Sequence, residues 1–204
     1  MSKNKQIIEE SVKWLKEYGS SLSSSRLVTG NLDRIGLIED LISKNMNHEK
    51  SLIIGNGFLL NSTLIPLLTG NYIGTREKCF IFSDKLNHSS INHGCLLSRQ
   101  RCFRYNHLEF NHLESFLKKV PIKSNKLIIS ETLFSMNGDF LDLDGIRFLS
   151  KKYNATLYLD EAHSVGIYGK NGFGICSDLN KNENEVIVGT LSKAFGCYGA
   201  FVSC

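Results

Sequence analysis

An α/β fold with a mostly parallel sheet is what this 204-residue sequence predicts, on three observations. Short runs rich in Ile, Val, Phe and Tyr alternate with longer amphipathic stretches, the rhythm of βα units. Several of those runs are apolar at successive positions, as strands covered on both faces are. Polar or glycine-rich segments follow the runs, and open α/β sheets hold ligands beyond the carboxyl ends of their strands.

In chain order, "IIEESVKWLKEY" sets Ile7, Ile8, Val12 and Leu15 at helical spacing. The Ser-rich "GSSLSSSR" at 19–26 reads as a loop. "LDRIGLIEDLISKN" brings Ile35, Leu37, Ile38, Leu41 and Ile42 to one helical stripe. Strands are expected at "SLIIG" (51–55), "KCFIFSD" (78–84), "CFRYNH" (102–107), "KLIISE" (126–131), "ATLYLDE" (155–161) and "EVIVGT" (185–190). Helices fit near 58–68, 109–118 and 143–153. The expected division is an N-terminal helical segment and loop over 1–45 and a larger unit over 46–204, with no internal repeat or Pro-rich linker.

A formal charge of +4 from scattered basic residues gives no stripe for nucleic acid. No run approaches the roughly 20 apolar residues of a membrane span, and "MSKNKQIIEES" has no apolar signal core, so a cytoplasmic protein is expected. The six cysteines form no C-x-x-C pair and read as buried free thiols, with no metal site.

Four chemical features stand at different strand ends. Asp160 closes "LYLD", and His163 follows three residues later. A buried carboxylate there must meet a cation or donors, or cap a helix. "GTLSK" offers Thr190, Ser192 and Lys193; such a lysine is a surface cation, a phosphate contact or, when deprotonated, an imine former. "GNGF" lets backbone approach an anion at a helix start near Phe58. His88 in "LNHSS" adds an imidazole, as a structural or a stacking group. Together they match the needs of pyridoxal 5'-phosphate: a phosphate cradle, an acid for the pyridine nitrogen, a stacking ring and an amine for the aldehyde.

"GSSLSSSRLVTGN", "GNGFLLN", "FSDKLNHSSINHG", "ETLFSMNGD", "LYLDEAHSVGIYGKNGFG" and "GTLSKAFGCYGAF" resemble, in order, motifs of the α-oxoamine synthases. That resemblance implies the α-β-α sandwich of the large domain of fold type I pyridoxal-phosphate transferases. It makes Lys193 the Schiff-base lysine, Asp160 the partner of the pyridine nitrogen, His88 the stacking group and His163 a neighbour of the ring's phenolic oxygen. Gly57 and Phe58 match a phosphate-site pair, Ser135 a serine near the cofactor, and Thr190 a hydroxyl contact.

The implied reaction is decarboxylative condensation of an amino acid with an acyl-CoA or acyl-ACP. The "DEAHS", "FSMNGD" and "GAFVSC" combination is most similar to the branch using L-alanine and a pimeloyl thioester. Branches acting on serine or glycine, or an inactive fragment that only binds cofactor or a partner chain, are the alternatives. Family members form homodimers, and their small C-terminal domain and leading N-terminal stretch are expected to be absent here.

Overall fold

The computed structural model describes residues 1–70, 78–178 and 184–204. Its centre is a seven-stranded sheet in the order β1-β7-β6-β5-β4-β2-β3, from Ser51–Ile54 (β1), Cys79–Asp84 (β2), Arg101–Tyr105 (β3), Asn125–Glu131 (β4), Thr156–Asp160 (β5), Glu185–Thr190 (β6) and Ala200–Ser203 (β7). Strands β3, β2, β4, β5 and β6 are mutually parallel, whereas β7 runs antiparallel to both β6 and β1.

The apolar runs bury alternate residues on opposite faces. Phe82, Ile128, Leu157, Leu159, Ile187 and Phe201 join one core with helices Asp33–Met46 (α2), Phe110–Leu117 (α5) and Leu143–Tyr153 (α6). Ile81, Leu127, Ile129, Tyr158, Val186 and Val188 join the other with Gly57–Leu68 (α3) and Ser89–Ser98 (α4). The expected α-β-α sandwich is therefore the observed architecture, since both faces need an apolar cover.

Two elements escape the sequence pattern. Helix α4 carries the polar "SSINHG" start of Ser89–Ser98, and its Gly94 packs so tightly on α3 that an added Cβ would lie 2.4 Å from the Asn61 carbonyl oxygen. Strand β7 is only four residues long and follows a glycine-rich turn. Asp160 caps no helix, because the chain turns without one after β5. Cys79, Cys95 and Cys176 are buried, but Cys102, Cys197 and Cys204 are exposed, correcting the expectation of six buried thiols. Helix α1 (Lys5–Tyr18) buries none of its residues, so its apolar stripe of Ile8, Val12 and Leu15 stays exposed.

The 45/46 boundary expected from the sequence falls at the end of α2, which packs on β1 and β7. Among the described residues no helix is long and apolar enough to cross a membrane, and no cluster of three metal-ligating side chains occurs.

Candidate active site

The parallel strands deliver their carboxyl ends to one edge of the sheet, where a cavity of about 260 Å³ opens. Gly57, Phe58, His88, Glu131, Asp160, His163, Thr190 and Lys193 all line it. Residues from five separate segments are thus brought together by strand order alone, as expected at the edge of a doubly covered sheet.

Asp160 ends β5 and is 5% exposed. Its Oδ1 accepts from the Ala162 N–H at 2.9 Å and its Oδ2 from Asn61 Nδ2 at 3.0 Å. Both donors are neutral, so they orient the carboxylate without cancelling its charge.

Lys193 follows β6 on the turn 191–199, and its Nζ stands within hydrogen-bond distance of His163 Nε2, at 2.6 Å. The atoms packed round its amine push the Lys193 pKa below the ordinary lysine value, although Asp160 and Glu131 pull the other way. Burial, followed by the Lys193 charge, lowers the pKa of His163 as well. The side chain itself is solvent-accessible, so the amine is both reachable and easier to deprotonate than a free surface lysine.

His163 is held by the rigidity of the loop it sits on. Glu161, fully buried beside it, accepts from Ser164 Oγ at 2.5 Å, from Ile175 N at 2.7 Å and from Cys176 N at 3.1 Å. That carboxylate stitches residues 161–176 into one piece. Burial raises the Glu161 pKa even so, outweighing the hydrogen bonds from Cys176, Ser164 and Thr132 that lower it.

His88 caps α4. Its backbone N–H donates to Glu131 Oε1 at 2.6 Å, and its ring Nδ1 contacts Ser90 Oγ at 2.8 Å. The preceding loop is fixed by Asp84, which accepts from Leu86 N, Leu108 N and His107 Nδ1; His107 Nε2 in turn meets Asp139 at 3.1 Å.

At the start of α3, Asn56 Oδ1 accepts from Leu59 N and the Asn56 carbonyl from Leu60 N. The Gly57 and Phe58 amides, at the cavity wall, donate to no described residue and remain free for an anion. Opposite them Thr190 Oγ1 and Ser192 Oγ are 2.8 Å apart, and a Cβ on Gly57 would stand 3.8 Å from Thr190. Two hydroxyls and two free amides therefore face one pocket.

Ser135 is the exception among the residues expected here. It is exposed on the turn between Leu133 and Phe140 and does not line the cavity. Conversely, Glu131, Asn61 and Ser90 line it without having been singled out. The available signal for Glu131 was that it ends β4 as Asp160 ends β5; the two are direct partners in the parallel register. Burial first, and then the Asp160 charge, push the Glu131 pKa up to about 7.

The sequence profile of the aminotransferase class I and II family matches residues 2–204. A protein of Paramagnetospirillum magneticum, provisionally named an 8-amino-7-oxononanoate synthase, is 38% identical over all of this chain and 51% of its own length. One of Geobacillus kaustophilus with the same provisional name is 36% identical, again over 51% of its length. Among solved structures, a serine palmitoyltransferase from S. paucimobilis with a bound PLP–myriocin aldimine superposes with a TM-score of 0.89 at 26% identity, covering 99% of this chain and 51% of that one. The 8-amino-7-oxononanoate synthase of Francisella tularensis gives 0.76 at 29% identity, over 99% and 54%. The chain spans about half the length of the curated relatives it matches. With the fold, the lysine-bearing turn and a profile match along essentially its whole length, this chain belongs to the aminotransferase class I and II family.

Proposed function

We propose that this chain is the pyridoxal-phosphate-binding part, residues 46–204 with the helical segment 1–45 ahead of it, of an α-oxoamine synthase. In the finer reading it serves the decarboxylative condensation of L-alanine with pimeloyl-CoA or pimeloyl-ACP to 8-amino-7-oxononanoate, a step of biotin synthesis. The reading rests most on one observation: the Lys193 amine, with a lowered pKa, stands 2.6 Å from His163 in the cavity that Asp160 closes. Serine palmitoyltransferase, 5-aminolevulinate synthase and glycine C-acetyltransferase chemistry are the competing members of the same family.

The donor set fits the cofactor. The Gly57 and Phe58 amides with the Thr190 and Ser192 hydroxyls would hold its phosphate, Asp160 its pyridine nitrogen and His88 its ring face. When bound, pyridoxal phosphate supplies an electron-withdrawing ring that takes up the electron pair left by a departing α-proton. Lys193, deprotonated, accepts that proton at Nζ as general base, which its lowered pKa favours. His163 holds the amine in place through Nε2. The Asp160 carboxylate would keep a proton on the pyridine nitrogen. The acyl thioester would enter from the open side of the cavity. The chain is proposed to act in the cytoplasm and to pair as a homodimer, without nucleic acid or membrane partners.

Titrating the chain with pyridoxal phosphate tests this. A visible absorbance band that disappears in Lys193→Ala is expected; a wild-type chain that binds no cofactor overturns the reading. Supplying alanine, serine or glycine to the loaded chain and recording the spectral response to each ranks the substrate classes.

A further inference from the structure

Three buried polar side chains are not used by the chemistry above: Asn61 on α3 and Ser90 on α4, which line the cavity, and Tyr158 on β5. Their hydrogen bonds have a single consistent direction. The Tyr158 hydroxyl donates to Asn61 Oδ1 at 2.5 Å, and burial and the Asp160 charge hold that phenol protonated. Turning the Asn61 amide over would set two acceptors, Oδ1 and Asp160 Oδ2, 3.0 Å apart. Its Nδ2 therefore faces Asp160, and that group's second hydrogen goes to Ser90 Oγ at 2.9 Å.

Ser90 Oγ also stands 2.8 Å from His88 Nδ1. The Ser90 backbone N–H converges on the same nitrogen at 3.2 Å. That backbone donor requires a lone pair on Nδ1, so the Ser90 hydroxyl donates to it as well and the neutral ring carries its proton on Nε2. The tight crossing at Gly94 is what brings Asn61 of α3 within reach of Ser90 of α4.

We propose that Asn61 is a positioning residue of this site: one amide orients the Asp160 carboxylate and, through Ser90, fixes His88 as the Nε2–H tautomer. The inference rests on the cofactor reading, because Asp160 and His88 are the groups that reading places against the ring. It goes further by making their geometry depend on a single side chain to which that reading assigns no contact. A network that served only to fill the core would leave the histidine tautomer indifferent to Asn61.

The test uses the full 204-residue chain with 15N-labelled histidine, free of cofactor, with His88 assigned by its loss in His88→Gln. In the wild type the ring nitrogens should report Nε2–H. Asn61→Ala should move the His88 nitrogen shifts toward a mixture of tautomers. Once loaded, it should bind pyridoxal phosphate on the order of tenfold more weakly and displace the pH midpoint of the visible band. Ser90→Ala severs only the His88 branch. It should move the same nitrogen shifts while weakening cofactor binding less than Asn61→Ala does. It also carries the test should Asn61→Ala fail to fold by circular dichroism.

An Nδ1–H tautomer in the wild type, or His88 shifts unchanged in both variants, overturns the inference. A wild-type chain that binds no pyridoxal phosphate overturns the proposed function instead, and the cofactor-free nitrogen spectra still decide the relay.

Discussion

Replacing Glu131 by glutamine isolates the electrostatic cost carried by the cavity. Glu131 is 3% exposed, and its carboxyl titrates at about 7 against an ordinary 4.5, because burial and then Asp160 disfavour the anion. Its folded value lies above its unfolded value, so its contribution to stability is fully present below 4.5 and is lost as pH rises through about 7. Integrated between these two values, the loss is about 1 kcal/mol at pH 5 and about 3 kcal/mol at pH 8. Glutamine keeps the same shape and an oxygen to accept from the His88 N–H, the bond that Oε1 makes at 2.6 Å. Glu131→Gln should therefore gain about 3 kcal/mol over wild type at pH 8 and about 1 kcal/mol at pH 5. In thermal unfolding the pH 8 gain corresponds to a rise of about 6–12 °C for a chain of this size. Urea unfolding of both proteins at the two pH values measures the same difference. A variant that is destabilised at pH 8, or whose gain is equal at both pH values, would refute a raised carboxyl pKa at this position.

Two further outcomes follow from the loops that hold the site. His107 bridges Asp84 and Asp139; burial lowers its pKa, but the two carboxylates outweigh this and the net shift is upward. Its contribution is fully present below pH 6.5 and lost above the raised value, so His107→Gln should cost about 1–3 kcal/mol at pH 6 and less at pH 9, by urea unfolding. At Gly174, φ is +97° and a Cβ would lie 1.8 Å from Glu161 Oε2. Gly174→Ala should lose about 2 kcal/mol or more and loosen the loop that carries His163, measurable as faster amide exchange at Ile175 and Cys176.

Much of the sheet was legible because burial on both faces demands apolar residues at successive positions. "KLIISE" and "EVIVGT" could be read as covered strands without knowledge of their neighbours, and each lies where expected. The helices expected near 143–153 and 109–118 lie at Leu143–Tyr153 and Phe110–Leu117. Helix α4 did not, since one of its faces meets α3 through Gly94 and small or polar residues, leaving no apolar stripe to detect. Strand β7 was hidden by its length, and it pairs because β1 and β6 flank it on either side.

At the site, the sequence by itself determined which chemical groups stand at strand ends. Asp160, His88, Thr190 and Lys193 each follow an apolar run, and chain order alone sets that. Only the tertiary structure decided how they meet. The parallel register sets Glu131 beside Asp160, and the α3–α4 crossing links Asn61 to Ser90. The turn 191–199 brings the Lys193 amine to His163, 30 residues earlier in the chain. The same packing left Ser135 on an exposed turn outside the cavity. Local sequence fixes what a residue can donate or accept, but burial, and with it pKa and hydrogen-bond direction, arises from atoms distant in the chain.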